Sequence, residues 1–362
     1  MEMFCYQCQE AARNEGCTVR GVCGKSPEIA HLQDLLIWLL KGISFWAVKG
    51  RELGVSSPEA DVFVAKALFS TITNVNFDPD RFVEWIQEAV MLRDDLRAEA
   101  QAACEAQHGE ACGVDLPEPA SWTPKTYAVK ILDMKGQLVG VMDDPDLDED
   151  IRSLRELLIY GLKGLAAYTD HAYVLEHYND DLLVFMQEAL LATTDDSLTA
   201  DDLVGWVLKA GEMGVEAMRL LDEASTGTYG NPEPTQVNLS VREGPAILIS
   251  GHDLRDLEEL LEQTEGTGVN VYTHGEMLPA NAYPAFKTYD HFVGNYGGSW
   301  WHQREEFETF GGAILMTTNC LVPPKESYKD RLFTTGLVGW PEVRHIPNRE
   351  NGDQKDFSPV IE

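Results

Sequence analysis

The chain has 362 residues, 28 basic against 60 acidic side chains, a formal charge of −32, and 44% apolar residues. Such a length allows two or three domains with cores of their own, and such a charge repels nucleic acid and anionic membrane surfaces. No stretch approaches the ~20 uninterrupted apolar residues of a membrane span, and the N-terminus lacks the basic start and apolar run of a signal peptide.

The expected compartment is therefore the cytoplasm, where clustered cysteines bind metal or do redox chemistry more often than they form disulfides. Four of the seven cysteines fall in the opening MEMFCYQCQEAARNEGCTVRGVCGK. Their spacing is Cys5-x2-Cys8-x8-Cys17-x5-Cys23. Four soft thiolates suit either zinc or a [4Fe–4S] cluster. Zinc ribbons pair two C-x2-C knuckles, and the second pair here is spaced too widely for one. Gly16, Gly21 and Gly24 allow backbone N–H groups to approach cluster sulfurs. Arg13, Arg20 and Lys25 supply positive charge suited to an anionic cluster. Zinc, free thiols and disulfides are the competing readings.

From His31 to about Leu220 the pattern is helical. HLQDLLIWLLKGISFW places Leu32, Leu35, Leu36, Leu39, Leu40 and Ile43 on one face at helical spacing. The same pattern returns 122 residues later as SLRELLIYGLKGLAAY from Ser153, and FVAKALFSTIT from Phe63 returns as FMQEALLATTD from Phe185. Trp85 and Trp206 correspond at an offset of 121. Two homologous helical bundles joined by the acidic linker 143–150 account for this. Cys104, His108 and Cys112 share one helical face, but Gly109 interrupts the helix and no fourth ligand is near, so their placement reads as incidental. His171 and His177 read as bundle histidines.

Around Asn231–Pro234 the composition shifts. PAILIS (245–250), VNVYTHGE (269–276) and AILMTTN (313–319) read as strands separated by helical segments, which predicts a parallel, doubly wound sheet. No G-x-G-x-x-G follows the first strand, so a dinucleotide fingerprint is absent. His252, Glu276 and Cys320 each sit just past the carboxyl end of a strand, where open α/β sheets bind ligands. Such a mixed N/O/S set leaves metal edges less shielded than four thiolates do. Taken singly, they read as a loop His, a helix-capping Glu and a core Cys. His274 is a competing imidazole, and GGSWW (297–301) reads as core or cavity wall. Near the end, Ser358 and Pro359 look like the cap and first residue of a helix that the chain does not continue.

The Cys5–Cys23 stretch, LLKGISFW, LLIYGLKGLAAY, ISGHDL, THGEMLPAN, GNYGGSWW and TTNCLVP resemble the hybrid-cluster (prismane) proteins, the hydroxylamine reductase family, over essentially the whole chain. The resemblance implies that Cys5, Cys8, Cys17 and Cys23 ligate an N-terminal [4Fe–4S] cluster. It further implies that His252, Glu276 and Cys320 ligate a hybrid [4Fe–2O–2S] cluster, with His252 and Glu276 as candidate catalytic groups. The implied fold is an all-α domain of two repeated bundles followed by a Rossmann-like parallel-sheet α/β domain. The expected divisions are a cluster loop (1–30), bundle 1 (31–142), bundle 2 (151–230) and an α/β domain (235–362).

Members of this family carry a third domain that completes the hybrid cluster, and Cys320 is the one cysteine left for it here. The chain is thus expected to be a fragment, holding the first cluster and inactive alone. Implied partners are a small-molecule substrate, hydroxylamine or nitric oxide, and an external electron donor; nucleic acid and membrane are not expected partners. The alternatives are a non-catalytic electron-transfer module, a nitric oxide reductase or protein nitrosylase role, a zinc-bound structural domain, and a carbon monoxide dehydrogenase-like enzyme.

Overall fold

The computed structural model describes residues 2–113, 115–349 and 352–362. Seven helices precede a six-stranded parallel sheet among these residues. Helix α1 (Pro27–Glu52) begins where Ser26 accepts the N–H of Ile29 and Pro27 occupies the first turn, a position where a missing N–H costs nothing. Helices α2 (Pro58–Ser70) and α3 (Pro79–His108) start the same way, with Ser57 and Asp78 as caps before a proline. Helices α4 (Val129–Gly136), α5 (Glu149–Val174), α6 (Asp180–Ala192) and α7 (Ala200–Tyr229) complete the set.

The sequence repeat reappears as matched helix lengths. α1 and α5 each have 26 residues, α2 and α6 have 13, and α3 and α7 have 30. The predicted face of α1 is the buried one: Leu32, Leu35, Leu36, Leu39, Leu40 and Ile43 are fully enclosed, each stabilising the fold by about 2 kcal/mol. Opposite α1, Gln187 on α6 takes hydrogen bonds from Arg51 and donates to Asp61 at 2.7 Å.

One helical expectation needs correcting. α3 ends at Gly109, whose φ of +78° turns the chain back, and Cys112 then forms a disulfide with Cys104 across a Cα separation of 5.5 Å. Their placement is not incidental. Gly109 interrupts the helix, as the sequence indicates, and its left-handed conformation folds Cys112 back over the last turn of α3.

The chain divides into two compact units. One comprises residues 1–72, 78–170 and 178–220; the other comprises 73–77, 171–177 and 221–362. The second unit holds the sheet: β1 (Ala246–Ser250), β2 (Asn270–His274), β3 (Phe292–Asn295), β4 (Ala313–Met316), β5 (Leu332–Thr335) and β6 (Arg344–Ile346). Their order is β3-β2-β1-β4-β5-β6, with every pairing parallel. Helices α8 (Leu254–Thr264), α9 (Gln303–Thr309) and α10 (Glu326–Lys329) form within the connections. β1, β2 and β4 are the three strands read from sequence. β3 (FVGN), β5 (LFTT) and β6 (RHI) lack the uninterrupted apolar run that marks the equally short β4 (AILM).

The end of the chain is tied to α8. Lys355 and Arg349 each place a nitrogen 2.8 Å from Asp256 Oδ1, and Arg349 also reaches Glu259 at 2.7 Å. Asp256 and Glu259 are fully buried. A last short helix, α11 (Ser358–Ile361), has Phe357 at its cap and Ser358 inside it. The capping oxygen expected from Ser358 comes instead from Asp356, which accepts the Ser358 N–H at 2.9 Å.

Candidate functional site

The N-terminal loop is held by a two-way backbone bridge, Cys5 N–H to Cys17 O at 3.1 Å and Cys17 N–H to Cys5 O at 2.8 Å. Met3, Cys17 and Ala30 form a small apolar core against which Cys5 packs. Cys5, Cys8, Cys17 and Cys23 are all free thiols. Burial pushes the Cys8 thiol up, and the charges of Cys23, Cys5 and Cys17 push it further, so the other three sulfurs lie within electrostatic reach. A Cβ on Gly21 would come 3.1 Å from Cys23 Sγ, so glycine leaves the sulfurs room. Of the three cations singled out, Lys25 alone is directed at a thiol: its Nζ lies 3.7 Å from Cys5 Sγ and donates to Gln33 Oε1 at 2.6 Å. Arg20 caps the Gly24 carbonyl instead, and Arg13 is exposed.

The second site lies on adjacent strands. β1 pairs with β2 on one side and β4 on the other, with Ser250 level with His274 and Met316. The strand order reverses at the junction of β1 and β4, the crevice where doubly wound sheets bind ligands. His252 follows β1 and Cys320 follows β4, so they flank this junction, while Glu276 follows neighbouring β2.

Thr318 joins the first two loops. Its Oγ1 accepts the His252 N–H at 2.8 Å and lies 3.0 Å from His252 Nδ1. Gly251 makes the approach possible: at φ +118° its Cβ would fall 2.6 Å from the Thr318 nitrogen. Cys320 is gripped from two sides. The buried Gln303 donates to Cys320 O at 2.8 Å and accepts from Val322 N–H at 3.0 Å. Asn74 donates to Leu321 O at 2.6 Å and its carbonyl accepts the Leu321 N–H at 2.8 Å.

Electrostatics link the three candidates. Burial lowers His252, partly offset by the Glu276 carboxylate; burial, reinforced by Glu276, pushes Cys320 up to about 12. His252 and Glu276 nevertheless keep exposed surface, and Cys320 is half-buried.

His274 is not part of this group. It is fully buried, with Nδ1 3.1 Å from Ser250 Oγ and Nε2 2.8 Å from Glu306 Oε2. Gly298 of the GGSWW run donates to that same Glu306, but the run is not core: Gly297 and Gly298 are exposed and Trp301 is 57% exposed. His171 was read as a bundle histidine, yet its ring lies 6.2 Å from that of His252. Burial, followed by His252, drives its pKa down to about 3. Neither His171 nor Gln303 carries a local sequence signal, because each acts through a partner more than 15 residues away.

Among the described residues, no three His, Cys, Asp or Glu side chains converge tightly enough for a single metal ion. A tetrahedral zinc site needs all four ligands at ~2.0–2.3 Å from one centre. A polynuclear cluster instead spreads its ligands over several irons. No helix among the described residues is long and apolar enough to cross a membrane.

Residues 3–362 match the family described as the Prismane/CO dehydrogenase family. A hydroxylamine reductase of Halothermothrix orenii is 61% identical over 364 residues, covering 100% of this chain and 64% of that protein. One of Thermosipho melanesiensis is 60% identical over 359 residues, covering 99% and 64% respectively. The chain thus spans a little under two-thirds of these curated relatives. A crystal structure of carbon monoxide dehydrogenase from Thermococcus sp. AM4 aligns over 96% of this chain and 52% of its own, at 15% identity and a TM-score of 0.36.

Proposed function

The chain belongs to the Prismane/CO dehydrogenase family, and from that premise we propose that it is the cluster-binding part of an enzyme reducing hydroxylamine to ammonia and water. The reaction balances as NH2OH + 2 e− + 2 H+ → NH3 + H2O. The observation that supports this reading is the placement of His252, Glu276 and Cys320 just past the carboxyl ends of β1, β2 and β4, three adjacent parallel strands.

In this reading Cys5, Cys8, Cys17 and Cys23 hold a [4Fe–4S] cluster, and His252, Glu276 and Cys320 supply part of the ligand set of a hybrid iron–sulfur–oxygen cluster. Bound there, such clusters supply one-electron steps and a Lewis-acidic iron able to polarise the N–O bond. Thr318 orients the His252 ring, as partners beyond the metal ligands commonly do. Gln303 and Asn74 fix the backbone on either side of Cys320. The Glu276 carboxylate, open to solvent, is suited to exchange protons between solvent and substrate. Lys25 offsets the negative charge of the thiolates around Cys5.

One His, one Glu and one Cys are too few ligands for a four-iron cluster, so the rest must come from outside this chain. Iron and acid-labile sulfide analysis after anaerobic purification tests the first site; zinc without sulfide would overturn it. Hydroxylamine turnover tests the second. The full-length protein is expected to be active and its His252→Ala and Cys320→Ser variants at least tenfold slower. Hydroxylamine reduction by these 362 residues alone would overturn the division of ligands proposed here.

A further inference from the structure

The helical unit encloses a polar cavity of about 380 Å³ beside the N-terminal cysteine loop, with Cys5 in its wall. The internal repeat builds its opposite sides. At the 122-residue offset, Asp34 of α1 corresponds to Glu156 of α5, Lys41 to Lys163, and Trp38 to Tyr160, and all six line the cavity. Duplicating one amphipathic helix has thus placed two carboxylates and two ammonium groups around one space.

These charges face one another without pairing. Among the described residues, neither Lys41 nor Lys163 comes within 4.0 Å of a carboxylate oxygen, and Asp34 forms no ion pair at that distance. Lys163 is 4% exposed and donates a long, 3.5 Å hydrogen bond to Thr71 O. Glu156 accepts from Tyr6 at 3.0 Å. Gln33, next to Asp34, is 2% exposed and leaves its Nε2 without a partner. A Cβ on Gly140 would come 2.8 Å from Asp34 Oδ2, so the glycine opposite keeps space for the carboxylate. Facing Asp34 are Glu156 and Lys163 from α5, Tyr6 and Lys25 from the N-terminal loop, Lys41 from its own helix and Asp143 from the turn after α4.

We propose that Asp34 is the proton-accepting site that takes up one proton when the four-cysteine site receives one electron. The proposal rests on the reading of Cys5, Cys8, Cys17 and Cys23 as an iron–sulfur site. One electron from an external one-electron donor enters that site; one proton from solvent adds to a carboxylate oxygen of Asp34, which becomes a carboxylic acid. Local charge is restored and no other bond changes. The cause is Coulombic: a negative charge arriving across one cavity, in a medium of low effective dielectric, raises proton affinity by on the order of tenfold. Burial, reinforced by Glu156, already pushes Asp34 up to about 7, while Lys163, Lys25 and Lys41 pull it down. Burial and then Lys25 bring Lys163 down to about 8. Asp34 thus changes charge near neutrality, where such a response is useful.

The test is a redox titration of the iron- and sulfide-loaded chain with dithionite, followed at the chromophore that Cys8→Ser abolishes, at pH values from 5 to 9. The midpoint potential is expected to fall across neutrality by a total of about 59 mV, the one-electron equivalent of a tenfold affinity change. Asp34→Asn is expected to flatten that step. Lys163→Met removes a cation that favours the carboxylate, and moves the step to higher pH. If Asp34→Asn does not fold, the Lys163→Met displacement still decides the matter. A pH-independent potential in the wild type, or an unchanged step in the variants, would overturn the proposal while leaving the cysteine reading intact. A chain that takes up no reducible iron–sulfide chromophore overturns that reading and the proposal with it.

Discussion

Thr318 Oγ1 accepts the backbone N–H of His252 at 2.8 Å and sits 3.0 Å from its Nδ1. One hydroxyl thus ties the loop after β4 to the loop after β1 and fixes the plane of the imidazole. Thr318 is 4% exposed, so water does not replace it readily.

Thr318→Val keeps the side-chain shape and removes that oxygen. The variant is expected to lose about 1–2 kcal/mol of stability, the cost of an unsatisfied buried N–H. If His252 ligates metal, it also loses about 10–100-fold in metal affinity. Urea denaturation and iron content, measured on the same preparation, check both. Full stability with full iron would mean that Thr318 does not position His252.

Gln303 is 1% exposed and serves Trp300, Cys320 and Val322 at once. Gln303→Ala is expected to cost about 2–3 kcal/mol, because three partly buried backbone groups lose their partner. The Cys320 thiol, held high by burial and Glu276, should then react faster with iodoacetamide in the iron-free chain. Mass-spectrometric labelling rates at Cys320 measure this, and unchanged labelling would show that the loop holds itself.

The unpaired charges of the cavity predict an unusual pH profile. Asp34 is raised from 3.8 to about 7, so its contribution to stability is fully present below the unfolded value and is lost as pH rises through 7. Lys163 is lowered from 10.5 to about 8, so its contribution is present above the unfolded value and is lost as pH falls through 8. The two terms leave a shallow stability minimum between about pH 7 and 8. Chemical denaturation midpoints of the wild type across this range should dip, and those of Asp34→Asn should lose the acid-side slope. A wild-type midpoint that rises steadily from pH 5 to 7, with no change in the variant, is the contrary outcome.

The Cys104–Cys112 bond closes a span of 8 residues, for which chain entropy gives about 2.5 kcal/mol. Reduction is expected to lower thermal stability modestly while α3 persists. Thiol counting in denaturant on the iron-free chain should give five free thiols without reductant and seven with it. Seven in both would mean that the pair is reduced as purified, as expected of cysteines in a reducing compartment.

Some of this protein was legible in its residues. The apolar face of α1, the 122-residue repeat and the runs AILIS, NVYTH and AILM each carry their signal locally, in periodicity or in uninterrupted apolar stretches. The grouping of Cys5, Cys8, Cys17 and Cys23 in a single loop was legible from their spacing, and the structure keeps all four as free thiols. The strand-end positions of His252, Glu276 and Cys320 followed from the same local reading.

Other features only the tertiary structure decided. β3, β5 and β6 exist because neighbouring strands supply hydrogen bonds that a three- or four-residue segment cannot make for itself. His171 joins His252, and Gln303 joins Cys320, through contacts between distant segments. Composition supplied the charges of Asp34, Glu156, Lys41 and Lys163, but helix packing set them around one cavity without letting them pair. Sequence thus determined which groups this chain carries; the fold determined which of them meet, because burial and partner geometry, not residue type, set the chemistry of a buried charge.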